Sequence, residues 1–140
     1  MIDYTKYQKA LKHLELQYEN FSNLDERTDL QEIDREAVAE SVIQRFETCY
    51  DCQWKILKRY LNEELGVPEL LNSPKPIFRI AFENKLLASD VNQWLKYADS
   101  RIDTSHDYSE GKAQEALSRM KEFIDDAIGL YQTMTGTTWE

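Results

Sequence analysis

The chain predicts an all-α fold, a bundle of five helices, and three observations carry that expectation. Only 4 Gly and 3 Pro occur in 140 residues, while Leu, Glu, Lys, Ala and Gln are plentiful, a composition that favours helices. Apolar residues recur at spacings of three and four along most of the chain. No segment alternates with the period of two that a half-buried strand needs. The length suits a single domain, residues 1–140, large enough to bury a core without disulfides or metal.

Helix 1 is expected over residues 3–25, where Tyr4, Tyr7, Leu11, Leu14, Tyr18, Phe21 and Leu24 line one face. His13 lies off that stripe and reads as a solvated residue. Helix 2 is the long one, about 34–65, with a wide stripe from Val42 through Phe46, Cys49, Tyr50, Trp54 and Leu57 to Leu61. At 1.5 Å per residue it spans roughly 45–50 Å, and Gly66 and Pro68 stop it. Gln53 falls inside this stripe. A buried amide needs partners, which a core contact or a helix–helix interface supplies equally well. Helix 3 is short, about 75–86, after a loop holding Ser73 and Pro74. Helix 4 follows over 89–102 with Ser89 as its cap, then helix 5 over 110–134 with Ser109 as its cap. The tail from Thr135 to Glu140 is expected to fray.

Composition narrows the function classes. The formal charge of −9 argues against broad, sequence-blind nucleic-acid binding, which relies on a basic surface. It leaves room for a small local site, and it suits docking on a basic partner. No stretch approaches the roughly 18 apolar residues of a membrane span, and residues 1–6 lack the order of a signal peptide, so a cytoplasmic protein is expected. Cys49 and Cys52 form a CxxC in mid-helix. A redox pair opens a helix and a structural zinc needs two more ligands, so two small apolar residues are the plainer account. No Glu-x-x-His pair of the kind that builds metal sites in bundles occurs, and neither a metal nor another cofactor is expected.

The chemistry concentrates in one string, Arg101-Ile102-Asp103-Thr104-Ser105-His106-Asp107-Tyr108, expected on a turn between helices 4 and 5. It brings together a guanidinium, one of only 2 histidines and a phenol. Arg101 matches phosphate oxygens and never loses its charge. His106 moves a proton near neutral pH. Asp103 and Ser105 are supporting polar groups. Trp94, Ala98 and Arg101 share one face of helix 4, so Arg101 continues an apolar stripe, where a guanidinium needs an anion, a carbonyl cluster or a cleft. Arg45, Lys55 and Arg59 share a rough side of helix 2. They are either a solvated row or the electropositive wall of a nucleotide or RNA path.

The order of these features resembles the nucleotidyltransferase substrate-binding proteins of the HEPN superfamily, which include the HepT toxins. Val42-Ile43-Gln44-Arg45-Phe46-Glu47 and Trp54-Lys55-Ile56-Leu57-Lys58-Arg59-Tyr60-Leu61 lie on helix 2. Ser73-Pro74, Ala81-Phe82, Leu86-Leu87 and Trp94 follow, and then Arg101-x4-His106-x-Tyr108. The resemblance covers most of the chain. Two departures stand out: Ile102 occupies a position that is usually polar, and Tyr50-Asp51-Cys52-Gln53 differs from the usual run before the Trp. The resemblance implies an up-and-down HEPN bundle with a four-helix-bundle-like core that forms a homodimer. It implies a small Mnt-type nucleotidyltransferase as partner. It implies, for HepT-like members, a metal-independent ribonuclease site with Arg101 and His106 catalytic and Tyr108 the residue that the partner adenylylates. Partners expected on these grounds are a second copy, the nucleotidyltransferase and RNA, with no DNA and no membrane. Two other functions compete with the ribonuclease: a non-catalytic substrate-binding subunit of a two-component nucleotidyltransferase, and a helical dimerisation protein with a decayed site.

Overall fold

A computed structural model describes residues 1–106 and 110–140; the side chains of residues 106 and 110, with all of 107–109, lie outside the described residues. Six α-helices follow one another: α1 (Thr5–Ser22), α2 (Glu32–Glu63), α3 (Pro74–Glu83), α4 (Val91–His106), α5 (Glu110–Ser118) and α6 (Met120–Thr135), with a 3₁₀ turn at Leu24–Glu26. Among the described residues there is no strand, and no helix is long and apolar enough to cross a membrane. The all-α expectation therefore holds, but among the described residues the count is six helices where five were expected.

The extra helix comes from a break in the expected helix 5. Ser118 Oγ donates to the Glu115 carbonyl at 2.6 Å, and the Arg119 N–H donates to Ala116 O at 3.1 Å, a three-residue step in place of four. Side-chain bonding back to a helix carbonyl competes with the ladder and bends it. Arg119 meanwhile leaves the helix surface to donate to Ser100 Oγ (2.7 Å) and Lys96 O (3.3 Å), which ties the break to α4. A hydrophobic stripe runs on undisturbed through such a break, so periodicity alone does not signal it.

The other ends follow local chemistry. Gln31 and Asp34 form a capping box at the start of α2, with the Gln31 N–H donating to Asp34 Oδ2 at 3.0 Å. At its far end Gly66 takes φ +68°, and the Val67 N–H reaches back to Leu61 O at 2.9 Å. Pro74 opens α3 at the first turn, where its missing N–H costs nothing. Ser89 does not cap α4. The Asn92 N–H donates to Asp90 Oδ1 at 3.4 Å, and the Ser89 hydroxyl is spent on Asp126 Oδ1 at 2.6 Å. The tail does not fray either. Trp139 packs edge-on against Tyr131 at 5.1 Å, and its indole N–H donates to Glu15 at 3.3 Å.

α1 packs along α2, α6 closes against α1, and α3 and α4 cover the far side of α2. Six rings make a closed circuit through the core: Phe46, Tyr50, Phe78, Trp94, Tyr97 and Phe123, each 4.9–5.9 Å from the next. All six are buried and come from α2, α3, α4 and α6. Aromatic contacts add about 0.5–1.5 kcal/mol per pair beyond area burial, so the circuit holds α4 in one register against α2. Gln53 lies in this core, at the contact of α2 with α1. It is fully buried and donates to the Tyr7 hydroxyl at 2.9 Å, which donates to Ala127 O at 2.9 Å. Cys49 is buried and Cys52 partly so, both are free thiols, and burial pushes both pKa values up.

Candidate functional site

The register set by the aromatic circuit decides what Arg101 meets. Trp94 and Ala98 are buried, and Arg101, next on the same face, keeps a quarter of its side chain exposed. Glu47 and Asp51, four residues apart and so on one side of α2, face it. Asp51 grips the guanidinium with both oxygens, accepting from Nε at 3.2 Å and from Nη2 at 3.0 Å. Glu47 Oε2 accepts from Nη1 at 3.2 Å. Thr104, one turn beyond Arg101 and buried, donates its hydroxyl to the same Glu47 oxygen at 3.0 Å, with Arg101 O at 3.2 Å as the other acceptor in reach. The Asp51 carboxylate holds the guanidinium pKa above its ordinary value. Sequence reasoning expected an anion, a carbonyl cluster or a cleft at Arg101, and the chain supplies the anion itself.

The described part of the string, Arg101 to His106, is not on a turn. Arg101 through His106 form the last turns of α4, which extends past the expected end at 102. Arg101 and Ser105 stand four apart and both line a cleft of about 380 Å³ between α2, the start of α3 and α4. Tyr50, Asp51, Lys75 and Ile102 complete its polar and apolar walls. Lys75 is paired with Asp99 at 2.7 Å. Ser105 donates to the Ile102 carbonyl at 2.9 Å, and the Ile102 side chain is 48% exposed at the rim. Asp103 faces α5, where Lys112 approaches it at 3.5 Å. The Tyr50 hydroxyl is buried beside the cleft with no hydrogen-bond partner among the described residues, and desolvation pushes its pKa up. The His106 side chain, Tyr108 and the Ser109 cap lie outside the described residues.

The basic row of α2 is not part of this cleft. Arg45 reaches His13 on α1, Nη1 to Nδ1, at 3.4 Å. Arg59 pairs with Glu63 at 2.8 Å, and Lys55 sits 5.9 Å from the Trp54 ring centre. Lys55 stands one turn beyond Asp51 on the same side of the helix, yet none of the three lines the cleft. His13 is thus half-buried with an arginine partner rather than simply solvated.

Glu47, Asp51, Thr104 and Lys75 are site residues that sequence reasoning missed. Their signal was slight: an acidic pair at i, i+4 is one of many in a chain with 26 Asp and Glu. Among the described residues, no group of three or more His, Cys, Asp or Glu is arranged to hold a metal ion.

Comparison with known proteins fits this architecture. The family described as nucleotidyltransferase substrate binding protein like matches residues 2–136. A Haemophilus influenzae protein named probable ribonuclease HepT is 29% identical over 94 residues, 66% of this chain and 64% of that relative. The match thus spans a little under two thirds of the relative's length. A Haemophilus influenzae structure, described as revealing the fold of a substrate binding domain of a nucleotidyltransferase, superposes with a TM-score of 0.84. It covers 94% of this chain and 98% of the other at 24% identity, which speaks to the fold alone. A Thermus thermophilus structure gives a TM-score of 0.66 at 26% identity, covering 87% of this chain and 98% of that one. With the family match running almost end to end over an all-helical fold, the chain belongs to the nucleotidyltransferase substrate binding protein like family.

Proposed function

We propose that this protein is the HEPN partner of a minimal, Mnt-type nucleotidyltransferase and acts as a metal-independent endoribonuclease that adenylylation of Tyr108 silences. The observation that carries the reading is the placement of Arg101. It lines a cleft, on the same final turns of α4 that end at His106, with two of its five N–H donors not used by Glu47 or Asp51. In the reaction the RNA 2′-oxygen bonds to phosphorus and the bond from phosphorus to the 5′-oxygen breaks. One imidazole takes the 2′ proton and another gives a proton to the leaving 5′-oxygen, while Arg101 stabilises the added charge on the phosphorane. An imidazole titrating near about pH 6.5 serves either role. One chain offers one such His, so a homodimer with a shared cleft completes the pair. Purified protein is expected to nick RNA in EDTA, and His106→Ala to lower the rate at least about 100-fold. Activity that EDTA abolishes, activity that survives His106→Ala, or a lone 16.6 kDa species in sedimentation at micromolar concentration counts against it.

Tyr108 is proposed as the acceptor on its place in the Arg101-x4-His106-x-Tyr108 string, where an adenylyl group adds a bulky anion. Incubation with an Mnt-type enzyme and ATP is expected to add one adenylyl mass to the wild type and none to Tyr108→Phe. The same adduct on both proteins removes Tyr108 from the scheme.

A second reading, a non-catalytic substrate-binding subunit of a two-component nucleotidyltransferase, is favoured by the two carboxylates on Arg101. One guanidinium between Glu47 and Asp51 leaves a formal local charge of about −1, which does not attract a phosphodiester. Ile102 at the rim adds an apolar surface in place of a polar one. Nucleotide transfer by the partner that requires this chain, with no RNA cleavage by the chain alone, selects this reading.

A further inference from the structure

Arg101 is held more tightly than a helix-terminal arginine needs to be. Three of its N–H bonds go to two carboxylates of another helix, about fifty residues away in sequence. A side-on, two-point grip by Asp51 fixes the plane of the guanidinium, because both oxygens meet Nε and Nη2 in parallel. Glu47 adds a third point on Nη1, and Thr104 holds Glu47 in turn. Thr104 is 5% exposed, so this last bond is anchored on a buried residue. The result is a chain of contacts from the body of the bundle to the fork: Thr104 to Glu47, then Glu47 and Asp51 to Arg101. The two donors left over, one on each Nη, belong to a side chain that lines the cleft.

Two carboxylates beside one arginine do two opposite things to an incoming phosphate. They add negative charge, which opposes binding, and they remove the side-chain freedom that Arg101 otherwise loses when the phosphate arrives. Fixing the fork beforehand acts where geometry matters most, in the crowded transition state, and it has to outweigh a repulsion that grows as charge builds on the phosphorane. We infer that Asp51 and Glu47 are positioning residues that hold the Arg101 guanidinium so that its two remaining N–H donors meet a phosphate of the RNA at the cleft. The inference rests on the ribonuclease reading above and gives that site its supporting residues. Thr104 serves the same end through Glu47.

The test is steady-state cleavage of a single-stranded RNA in EDTA by wild type, Asp51→Asn, Glu47→Gln and Asp51→Glu, all shown by circular dichroism to be folded. Asp51→Asn and Glu47→Gln are expected to lower kcat at least 10-fold with KM unchanged or reduced, because a repelling charge goes with the grip. Asp51→Glu, which keeps a carboxylate, is expected to recover part of the rate. A kcat within twofold of wild type, or above it, overturns the inference, the latter marking the carboxylates as a lock. If the wild type cleaves nothing, the ribonuclease reading fails by itself. The inference is then decided by the side-chain ¹⁵N NMR signal of Arg101 on addition of an all-2′-deoxy oligonucleotide. A shift in wild type that Asp51→Asn loses supports it; no shift, or the same shift in both, overturns it.

Discussion

Single residues show how far an expectation from sequence reaches. Arg101 was legible as a candidate because its helical position puts a charge at the end of a buried stripe, and that position is a local property. Its partners were not legible, since Glu47 and Asp51 are two carboxylates among many and only the packing of α2 on α4 selects them. Gln53 is a similar case. Its place in the stripe was plain, but its bond to Tyr7 needs α1 laid along α2. Tyr50 offers a direct check on the site. Its hydroxyl is buried beside the cleft and has no hydrogen-bond partner among the described residues. Removing an unpaired buried hydroxyl is neutral or stabilising, so Tyr50→Phe is expected to change stability by between about 0 and +1 kcal/mol in urea unfolding. A loss above about 1 kcal/mol would show that the hydroxyl has a partner that matters.

At the scale of elements, capping chemistry explains most boundaries and one misplaced break. The ends of α2 and α3 were close to expectation because Gly66 and Pro74 act within a few residues. The extension of α4 through His106 was not expected, because Thr104 and Ser105 resemble turn residues in sequence. Their hydroxyls are instead satisfied by Glu47 and by the Ile102 carbonyl, so they do not end the helix. The close of α3 offers an element-scale prediction. Lys85 sits at φ +61°, and the Leu86 N–H turns back to Ala81 O at 3.0 Å, a closure that glycine adopts without a Cβ penalty. Lys85→Gly is expected to raise stability by about 0.5–1 kcal/mol, measured by chemical denaturation. A loss of stability would mean that the Lys85 side chain supplies contacts worth more than the strain.

The whole molecule is held by an aromatic core whose titratable members stay protonated. Burial raises the pKa of Tyr7, Tyr50, Tyr97 and Cys49, and for Tyr97 the hydrogen bond to Asp126 adds to it. A raised folded pKa means that the stabilising contribution is intact below the unfolded value and is lost as pH climbs above it. The unfolded thiol and phenols titrate near 9 and 10. Each group then costs about 1.4 kcal/mol per pH unit beyond its own value. The thermal midpoint is expected to fall steeply between about pH 9 and pH 11, followed by circular dichroism. A midpoint unchanged across that window would contradict the protonated core. The sequence by itself determined the all-α class, the stripes that make the core, and the place of Arg101 at the end of a buried stripe, because helix periodicity and side-chain chemistry act over a few residues. Only the tertiary structure decided that Arg101 is gripped by Glu47 and Asp51, that Arg119 breaks the last helix against α4, and that no residue of the basic row of α2 lines the cleft. Those outcomes depend on the register between helices, which the ring circuit from Phe46 to Phe123 sets and which no local pattern encodes.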